Sequence, residues 1–404
     1  MTSATTHAPD SRHAWMRLGV SLALSTIGGI GLWAGIVVLP AIQTEFGVDR
    51  SGAAFPYTMT MIGFAFGGVL MGRLADRFGI MVPMFIGAIM LGTGFIAAAF
   101  APNYWMYVAA QAALVGLFGC ATTFGPLVAD VSLWFQKRRG IAIAIVASGN
   151  YLAGTIWPPI LTWGIQNYGW RSAFMGIGFL TIILMLPLSL FLRRRASLEE
   201  RPSPTSAANP RPDGTPVLQG LLVLAGLACC VAMSMPQVHL IAYCADLGYG
   251  PARGAEMLSL MLGFGVVSRL ASGFIADRIG GVGTLIIGSF LQCLALLFYI
   301  PFDGLASLYV VSALFGLAQG GIVPSYALIV RDHFPAREAG TRISLVFTAT
   351  VFGMALGGWL SGEIFDLTGS YQAAFLHGIA WNLLNMAIAF WLLMGRRMPK
   401  LQAA

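Results

Sequence analysis

The sequence GRLADRFG spans residues 72–79, and a close copy of it, GFIADRIG, spans residues 273–280. The copies are separated by close to half the length of the 404-residue chain. Each copy follows a long apolar run and ends on a glycine. A repeat at this spacing predicts that the chain consists of two similar halves.

Other stretches recur at nearly the same spacing. GLFGCATTFGP, which starts at Gly116, aligns with GLAQGGIVP, which starts at Gly316. YGWRSAF aligns with GSYQAAF, so that Phe174 pairs with Phe375. These repeats predict a parallel duplication. Membrane carriers built in this way bind their substrate near the membrane midplane, between the halves.

The composition indicates an integral membrane protein. Hydrophobic residues make up 57% of the chain and charged residues only 10%, whereas soluble domains carry about 25% charged residues. The apolar run near the N-terminus has no cleavage site at signal-peptide length, so we expect it to be the first membrane helix. The five cysteines lack metal-ligand spacing, and we therefore expect neither a metal nor a cofactor.

The apolar runs predict twelve membrane helices, since a span needs about 20 apolar residues. The predicted segments are residues 17–40, 53–72, 82–101, 104–133, 139–166, 171–192, 218–246, 252–275, 281–301, 305–331, 339–365 and 371–394. Residues 193–217 are rich in Pro, Ser and charge, which is typical of a flexible linker. We therefore predict an N-terminal half (1–192), a cytoplasmic linker (193–217) and a C-terminal half (218–404).

The basic residues predict the orientation. Of the 23 Lys and Arg residues, all but four lie on the side that holds both termini. Arg50, Arg171 and Arg253 lie on the opposite side, and Arg269 lies within a span. Cytoplasmic loops are enriched in Lys and Arg, so we expect both termini to be cytoplasmic in an inner (cytoplasmic) membrane. The net charge of +7 is then explained by basic loops that face the anionic lipids of the inner leaflet. We therefore expect no nucleic-acid partner.

The repeated loop resembles the best-known motif of the major facilitator superfamily. Its residues here are Gly72, Asp76 and Arg77 in the first half, with Asp277 and Arg278 in the second. The resemblance implies an all-α membrane fold of two six-helix bundles, in which loop contacts hold one conformation closed at the cytoplasmic side. Ile80 and Met81 stand where that family usually has basic residues.

Two stretches resemble a narrower group, the monocarboxylate and oxalate/formate porters. They are residues 39–79 and the sequence WFQKRRGIAIAIVASG at residues 134–149. Arg269 lies where that group carries a helix-eight arginine, and the resemblance implies that it binds the substrate carboxylate. The chain lacks the helix-one lysine of animal porters and the second cation of the oxalate/formate antiporter, and Gly265 replaces an aspartate.

Arg269 is the one Lys or Arg well inside a predicted span. A single cation suits a monocarboxylate, whereas a dicarboxylate favours two. The alternatives are a structural pair with a buried acid and snorkelling to the inner face. Asp277 is about 12 Å further along a helix, beyond comfortable snorkelling reach. Arg269 aligns with Gly68 in the first half, so the charge is an addition to a duplicated scaffold.

Other mid-span residues are candidates to line the substrate site, although each could equally pack between helices. They are Trp33, Asn150, Tyr151, Tyr243, Gln319 and Phe352, with Gln237 beside them. His239 is the candidate for proton coupling because a histidine ordinarily titrates near pH 6.5. Asp130 and Asp246 are the alternatives, and the substrate carboxylate could itself carry the proton.

The sequence therefore favours a secondary carrier of small monocarboxylates, such as lactate or pyruvate, by proton symport or anion exchange. Exchange of the oxalate/formate type, or transport of another small organic anion, is the alternative. The chain has no HExxH, GxSxG or P-loop motif, so we expect neither an enzyme nor ATP-driven transport. We expect it to act as a monomer in the lipid bilayer, with a proton or a counter-anion as its second ligand.

Overall fold

The computed structural model describes residues 10–194 and 215–397. All the regular structure in these two ranges is helical, which confirms the predicted all-α class. The helices named in one piece are α1 (Arg12–Phe46), α2 (Arg50–Phe78), α3 (Met81–Ala99), α4 (Tyr104–Trp134), α7 (Pro216–Asp246), α10 (Leu305–His333), α11 (Ala336–Thr368) and α12 (Tyr371–Arg397). The remaining four are α5 (139–168), α6 (170–190), α8 (251–279) and α9 (281–298).

Ten stretches among the described residues are long and apolar enough to cross a membrane. The two longest, of 51 and 48 residues, are each bent at a glycine with a positive φ. These glycines are Gly169, with φ of 76°, and Gly280, with φ of 77°. Division at the two bends gives twelve segments, in the predicted order and close to the predicted bounds.

The duplication extends to the backbone conformation. Gly79 and Gly280 end the two copies of the loop motif, with φ of 84° and 77°. Gly47 and Gly248 occupy another equivalent pair of positions, with φ of 62° and 82°. Because only glycine adopts this region without a steric penalty, these positions require glycine in both halves.

Close helix packing in the first half depends on small residues. The Cα atoms of Gly63 and Gly67 on α2 lie against the backbone of α4 at Ala112 and Leu117. In return, a Cβ at Gly116 of α4 would come within 2.6 Å of the carbonyl oxygen of Thr60. Backbones approach this closely in membrane proteins because small side chains leave them room.

The second half also contains a buried polar network. The Tyr326 hydroxyl of α10 lies 2.8 Å from Oδ1 of Asn385 and 3.0 Å from the carbonyl oxygen of Ala225. Asn385 Nδ2 donates to Ser289 Oγ at 2.7 Å. All these side chains are buried. Because buried polar groups require partners, this network fixes α7, α9, α10 and α12 to one another.

The contacts divide the chain into two units. The first contains Met1–Arg201 and Val238–Gly263, and the second contains Pro202–Gln237 and Phe264–Ala404. We call residues 238–263 the outer hairpin; it comprises the end of α7, the following loop and the start of α8. Outer here means the side opposite the Lys- and Arg-rich loops. Most of the predicted linker, residues 195–214, lies outside the described residues.

Candidate substrate site

Arg269 lies on α8 in the second unit, with its side chain half-buried. Ser268 beside it donates its hydroxyl to the carbonyl oxygen of Leu317 on α10 at 2.6 Å. Ser272, one turn further, donates to the carbonyl oxygen of Arg269 at 2.9 Å. The backbone that carries the guanidinium is therefore tied to α10.

Helix α10 is interrupted directly after Gln319, beside the backbone of Arg269. The helix stops at Gln319, and Gly320 and Gly321 separate it from the next helical stretch. A Cβ on Gly320 would come within 2.5 Å of the amide nitrogen of Arg269. The break in α10 therefore lies directly against the Arg269 backbone.

Gln237 of α7 joins this group through Gln319. Its Nε2 donates to Oε1 of Gln319, and both side chains are buried. Gln237 and Gln319 are thus bonded to each other, and Gln319 immediately precedes the glycine that packs against the backbone of Arg269. Phe352 belongs to the same unit and is half-buried on α11.

The first unit holds a second group of the predicted residues. The indole Nε1 of Trp33 donates to the carbonyl oxygen of Asn150 at 3.1 Å. A Cβ on Gly154 would come within 2.7 Å of the Trp33 ring, so the indole packs closely against α5. Tyr151 is buried beside Asn150.

His239 and Tyr243 lie in the outer hairpin, which belongs to the first unit by its contacts. The side chain of His239 is completely buried, and that of Tyr243 is half-buried. The structure therefore divides the predicted site residues into two groups. Trp33, Asn150, Tyr151, His239 and Tyr243 are in the first unit, and Gln237, Arg269, Gln319 and Phe352 are in the second.

Several of these residues lie beside interruptions of their helices. Trp33 comes shortly after the break of α1 at Gly29, and Asn150 shortly after the break of α5 at Ser148. Gln319 precedes the break of α10. Discontinuous helices in transporters expose backbone groups that bind substrates and ions. The breaks were not predicted from the sequence, although the pair Gly320–Gly321 is a recognisable signal.

The repeated loop motif lies at the ends of α2 and α8. The side chains of Asp76, Arg77, Asp277 and Arg278 are all exposed, and Gly72 is half-buried. The guanidinium of Arg77 lies 5.2 Å from the ring centre of Phe78. The predicted role of this motif in closing one conformation stays a prediction.

The two carboxylates named as alternatives for proton coupling are both in ion pairs. Arg17 donates to Asp130 through Nε at 2.8 Å and Nη2 at 2.9 Å, and to the carbonyl oxygen of Leu192 at 3.2 Å. Arg50 contacts both carboxylate oxygens of Asp246. Sequence reasoning missed both pairs because their members are 113 and 196 residues apart.

Comparison with known proteins identifies the family. The sequence profile described as Major Facilitator Superfamily matches residues 22–307 and 277–403, which together cover most of the chain. The chain belongs to the major facilitator superfamily. This confirms the predicted fold and the interpretation as a multi-pass membrane transporter rather than an enzyme.

Among the relatives of this superfamily member is "Monocarboxylate transporter 13" of Bos taurus. It is 27% identical over 383 residues, covering 89% of each chain. An "MFS-type transporter" of Gibberella moniliformis is 27% identical over 334 residues, covering 81% of this chain and 78% of the fungal protein. The "Agnestins efflux protein AgnL12" of Paecilomyces divaricatus is 24% identical, covering 77% of this chain and 71% of its own length.

Solved structures of other transporters share the fold. A nucleoside transporter superposes with a TM-score of 0.73 at 14% identity, covering 93% of this chain and 99% of its own. A peptide transporter superposes with the same TM-score at 15% identity, covering 94% of this chain and 95% of its own. At these identities the likeness concerns the fold alone.

Proposed function

We propose that the protein is a secondary carrier of small monocarboxylates and that Arg269 binds the carboxylate. The observation that carries the proposal is that the backbone of Arg269, whose side chain is half-buried, lies against Gly320 at the break of α10. Charged residues inside membrane helices mark substrate pathways. The similarity to a monocarboxylate transporter supports the same substrate class.

The chemistry of the guanidinium fits one carboxylate. Its planar fork can donate two parallel hydrogen bonds to the two carboxylate oxygens. At a separation of about 4 Å and an effective dielectric constant near 20, the attraction is on the order of 4 kcal/mol. Gln237 and Gln319, which belong to the same unit and are bonded to each other, are polar but neutral. A single positive charge in this setting favours a monoanion over a dianion such as oxalate.

Transport on this proposal occurs by alternating access, driven by symport with a proton. The loop motif, with Asp76 and Asp277, closes the cytoplasmic side in one of the two states. His239 is the candidate for the proton-binding group, because it is a titratable side chain completely buried in the outer hairpin. The carrier acts as a monomer in an inner membrane, with both termini in the cytoplasm.

The second candidate is a carrier for a different organic anion, by exchange of the oxalate/formate type or by efflux. The similarity to an agnestins efflux protein supports this alternative. Exchange needs no proton-binding residue, because the carrier returns to its first state with the counter-anion bound. The two candidates therefore differ in their response to a proton gradient.

Uptake into proteoliposomes tests the proposal. Labelled lactate, pyruvate, formate, acetate and oxalate are offered with and without an inward proton gradient. We expect saturable uptake of a monocarboxylate that the gradient drives uphill. Uptake of oxalate that depends only on internal anion would support the second candidate. If none of the monocarboxylates is taken up or exchanged, the proposed function is wrong.

A further inference from the structure

The carboxylate of Asp10, just before α1, is bound by the loop between α4 and α5. It accepts hydrogen bonds from three successive backbone amides, those of Gln136 at 3.2 Å, Lys137 at 3.0 Å and Arg138 at 3.2 Å. The amide nitrogen of Asp10 donates in turn to the carbonyl oxygen of Trp134 at 3.1 Å. Successive amides that converge in this way form a nest, a geometry that binds anions. We call these three amides the amide nest.

The amide nest lies at the start of a helix that has no acid of its own. Arg138 directly precedes α5, its side chain makes no capping hydrogen bond, and the first turn of α5 contains no acidic residue. The internal repeat aligns Arg138 with Glu338, an acid in the first turn of α11. Lys137 and Arg138 are both exposed. Because the helix dipole adds to their charges, the start of α5 is a positive site that takes its acid from a distant part of the chain.

Asp10 is an occupant that the fold can exchange. It is separated from the nest by 126 residues or more, and it is only half-buried. Helix α1 does not need it for attachment, because Arg17 is bonded to Asp130 of α4 through two nitrogens. Both members of that ion pair are largely buried. Departure of the Asp10 carboxylate would therefore leave α1 in place and free the three amides for another anion.

We propose that the amide nest is a phosphate-binding site, and that Asp10 occupies it as an internal substitute which a phosphate group displaces. Backbone amides at a helix start bind phosphates through their N–H groups and the helix dipole, and Lys137 and Arg138 add two charges. The phosphate can come from the headgroup of an anionic phospholipid or from the free ion. A tethered carboxylate has a high effective concentration, so its competitor must be concentrated, as headgroups are at a membrane surface.

The site does not depend on which anion is transported, so its test needs no transport assay. Asp10→Asn removes the internal anion from the nest. The variant is placed in nanodiscs of phosphatidylcholine, either alone or mixed with phosphatidylglycerol. Inorganic phosphate is added to a further phosphatidylcholine sample, with chloride at equal ionic strength as the reference. Hydrogen exchange of the amides of residues 136–138 is then followed by mass spectrometry.

We expect a bound phosphate to slow exchange of the nest amides about tenfold or more, because each would again donate to a charged acceptor. Slowing by phosphatidylglycerol alone would identify a lipid headgroup as the ligand. Slowing by inorganic phosphate would identify the free ion. If neither slows exchange at residues 136–138, the proposal is wrong.

Two further substitutions, each combined with Asp10→Asn, separate a site from general attraction of anions. Lys137→Gln removes a charge beside the nest and should raise the anion level needed for half-protection about fivefold. Arg331→Gln removes an exposed charge of the second unit and should leave that level unchanged. Equal effects of the two substitutions would show that only the overall charge attracts anions, and would overturn the proposal.

A measurement on the unchanged protein tests the displacement and stands even where Asp10→Asn fails to fold. As the content of phosphatidylglycerol or phosphate rises, the amide of Asp10 should exchange faster, because its hydrogen bond to Trp134 is lost with the carboxylate. The amides of residues 136–138 should stay protected by the new anion. If the exchange rate at Asp10 stays the same at every content of either anion, Asp10 is not displaced and the proposal fails.

Discussion

The amide nitrogen of Arg269 on α8 lies directly against Gly320 of α10, at a distance where a Cβ on residue 320 would come within 2.5 Å of it. The same Cβ would come within 2.6 Å of the carbonyl oxygen of Gly265. Backbone atoms surround this position, so no side-chain movement can make room. The position of the Arg269 backbone therefore depends on a glycine in a different helix.

Gly320→Ala should displace α8 from α10. Overpacking of this kind costs about 1–3 kcal/mol, so we expect a lower midpoint of thermal unfolding and a higher KM for the transported anion. The matched control is Gly273→Ala on α8, where a Cβ would meet no atom within 4 Å. Wild-type stability and KM in Gly320→Ala would contradict the proposed support of Arg269 by α10.

Gln237 and Gln319 should act as a unit. Replacement of either by leucine leaves the buried amide of the other without its hydrogen bond, at a cost of about 1–3 kcal/mol. The double variant should therefore lose less than the two single variants together, with a coupling of about 0.5–3 kcal/mol. Thermal unfolding and KM are measured for all four proteins. Additive losses would show that the two side chains do not depend on each other.

Much of the fold could be predicted because its signals are local or repeated. Apolar runs of sufficient length predicted the spans, and the recurrence of GRLADRFG predicted the duplication. The glycines that end the two copies, Gly79 and Gly280, both have a positive φ. The family resemblance drew attention to Arg269. The contact of its backbone with Gly320 could not be predicted, because it depends on how closely two helices approach each other.

The ion pairs could not be predicted for a similar reason. Arg50 and Asp246 are 196 residues apart, and charges near span ends ordinarily contact water or headgroups. Nor did the sequence indicate that the outer hairpin, residues 238–263, belongs to the first unit by its contacts. The helix breaks at Gly29 and Ser148 depend on local packing that one sequence without its structure does not reveal.

Arg171 should stabilise the outer end of the first half. Its guanidinium donates to Glu45, to the carbonyl oxygen of Ala99 at 2.5 Å and to that of Ala101 at 3.0 Å. Because Arg171 and Glu45 are both about one third exposed, we expect Arg171→Gln to cost only about 1 kcal/mol. Thermal unfolding measures the loss, and Arg253→Gln, which removes a more exposed pair, should cost less. Equal losses would contradict this assignment.

Asp10 should hold the loop before α5 in a pH-dependent way. Its carboxylate accepts backbone hydrogen bonds from Gln136 at 3.2 Å, Lys137 at 3.0 Å and Arg138 at 3.2 Å. Burial raises the pKa of Asp10, but these hydrogen bonds and the charge of Lys137 outweigh it, so that the pKa lies below its ordinary value of 3.8.

A carboxyl group with a lowered pKa stabilises the folded state at a pH above its ordinary value and loses this effect as the pH falls through the lowered value. We therefore expect the amides of residues 136–138 to be protected from hydrogen exchange at pH 7 and at pH 5. In Asp10→Asn they should exchange faster at both values, because the anionic acceptor is absent. Equal protection in the variant would show that Asp10 does not hold the loop.

The most direct test of the central claim is counterflow of a labelled monocarboxylate by Arg269 variants in proteoliposomes. Arg269→Gln should lower kcat/KM at least about 100-fold, since it removes the charge that binds the carboxylate. Arg269→Lys should recover part of the activity, because it keeps the charge but loses the two-pronged hydrogen bonding. Counterflow at the wild-type rate in Arg269→Gln, with the same KM, would contradict the claim that Arg269 binds the substrate.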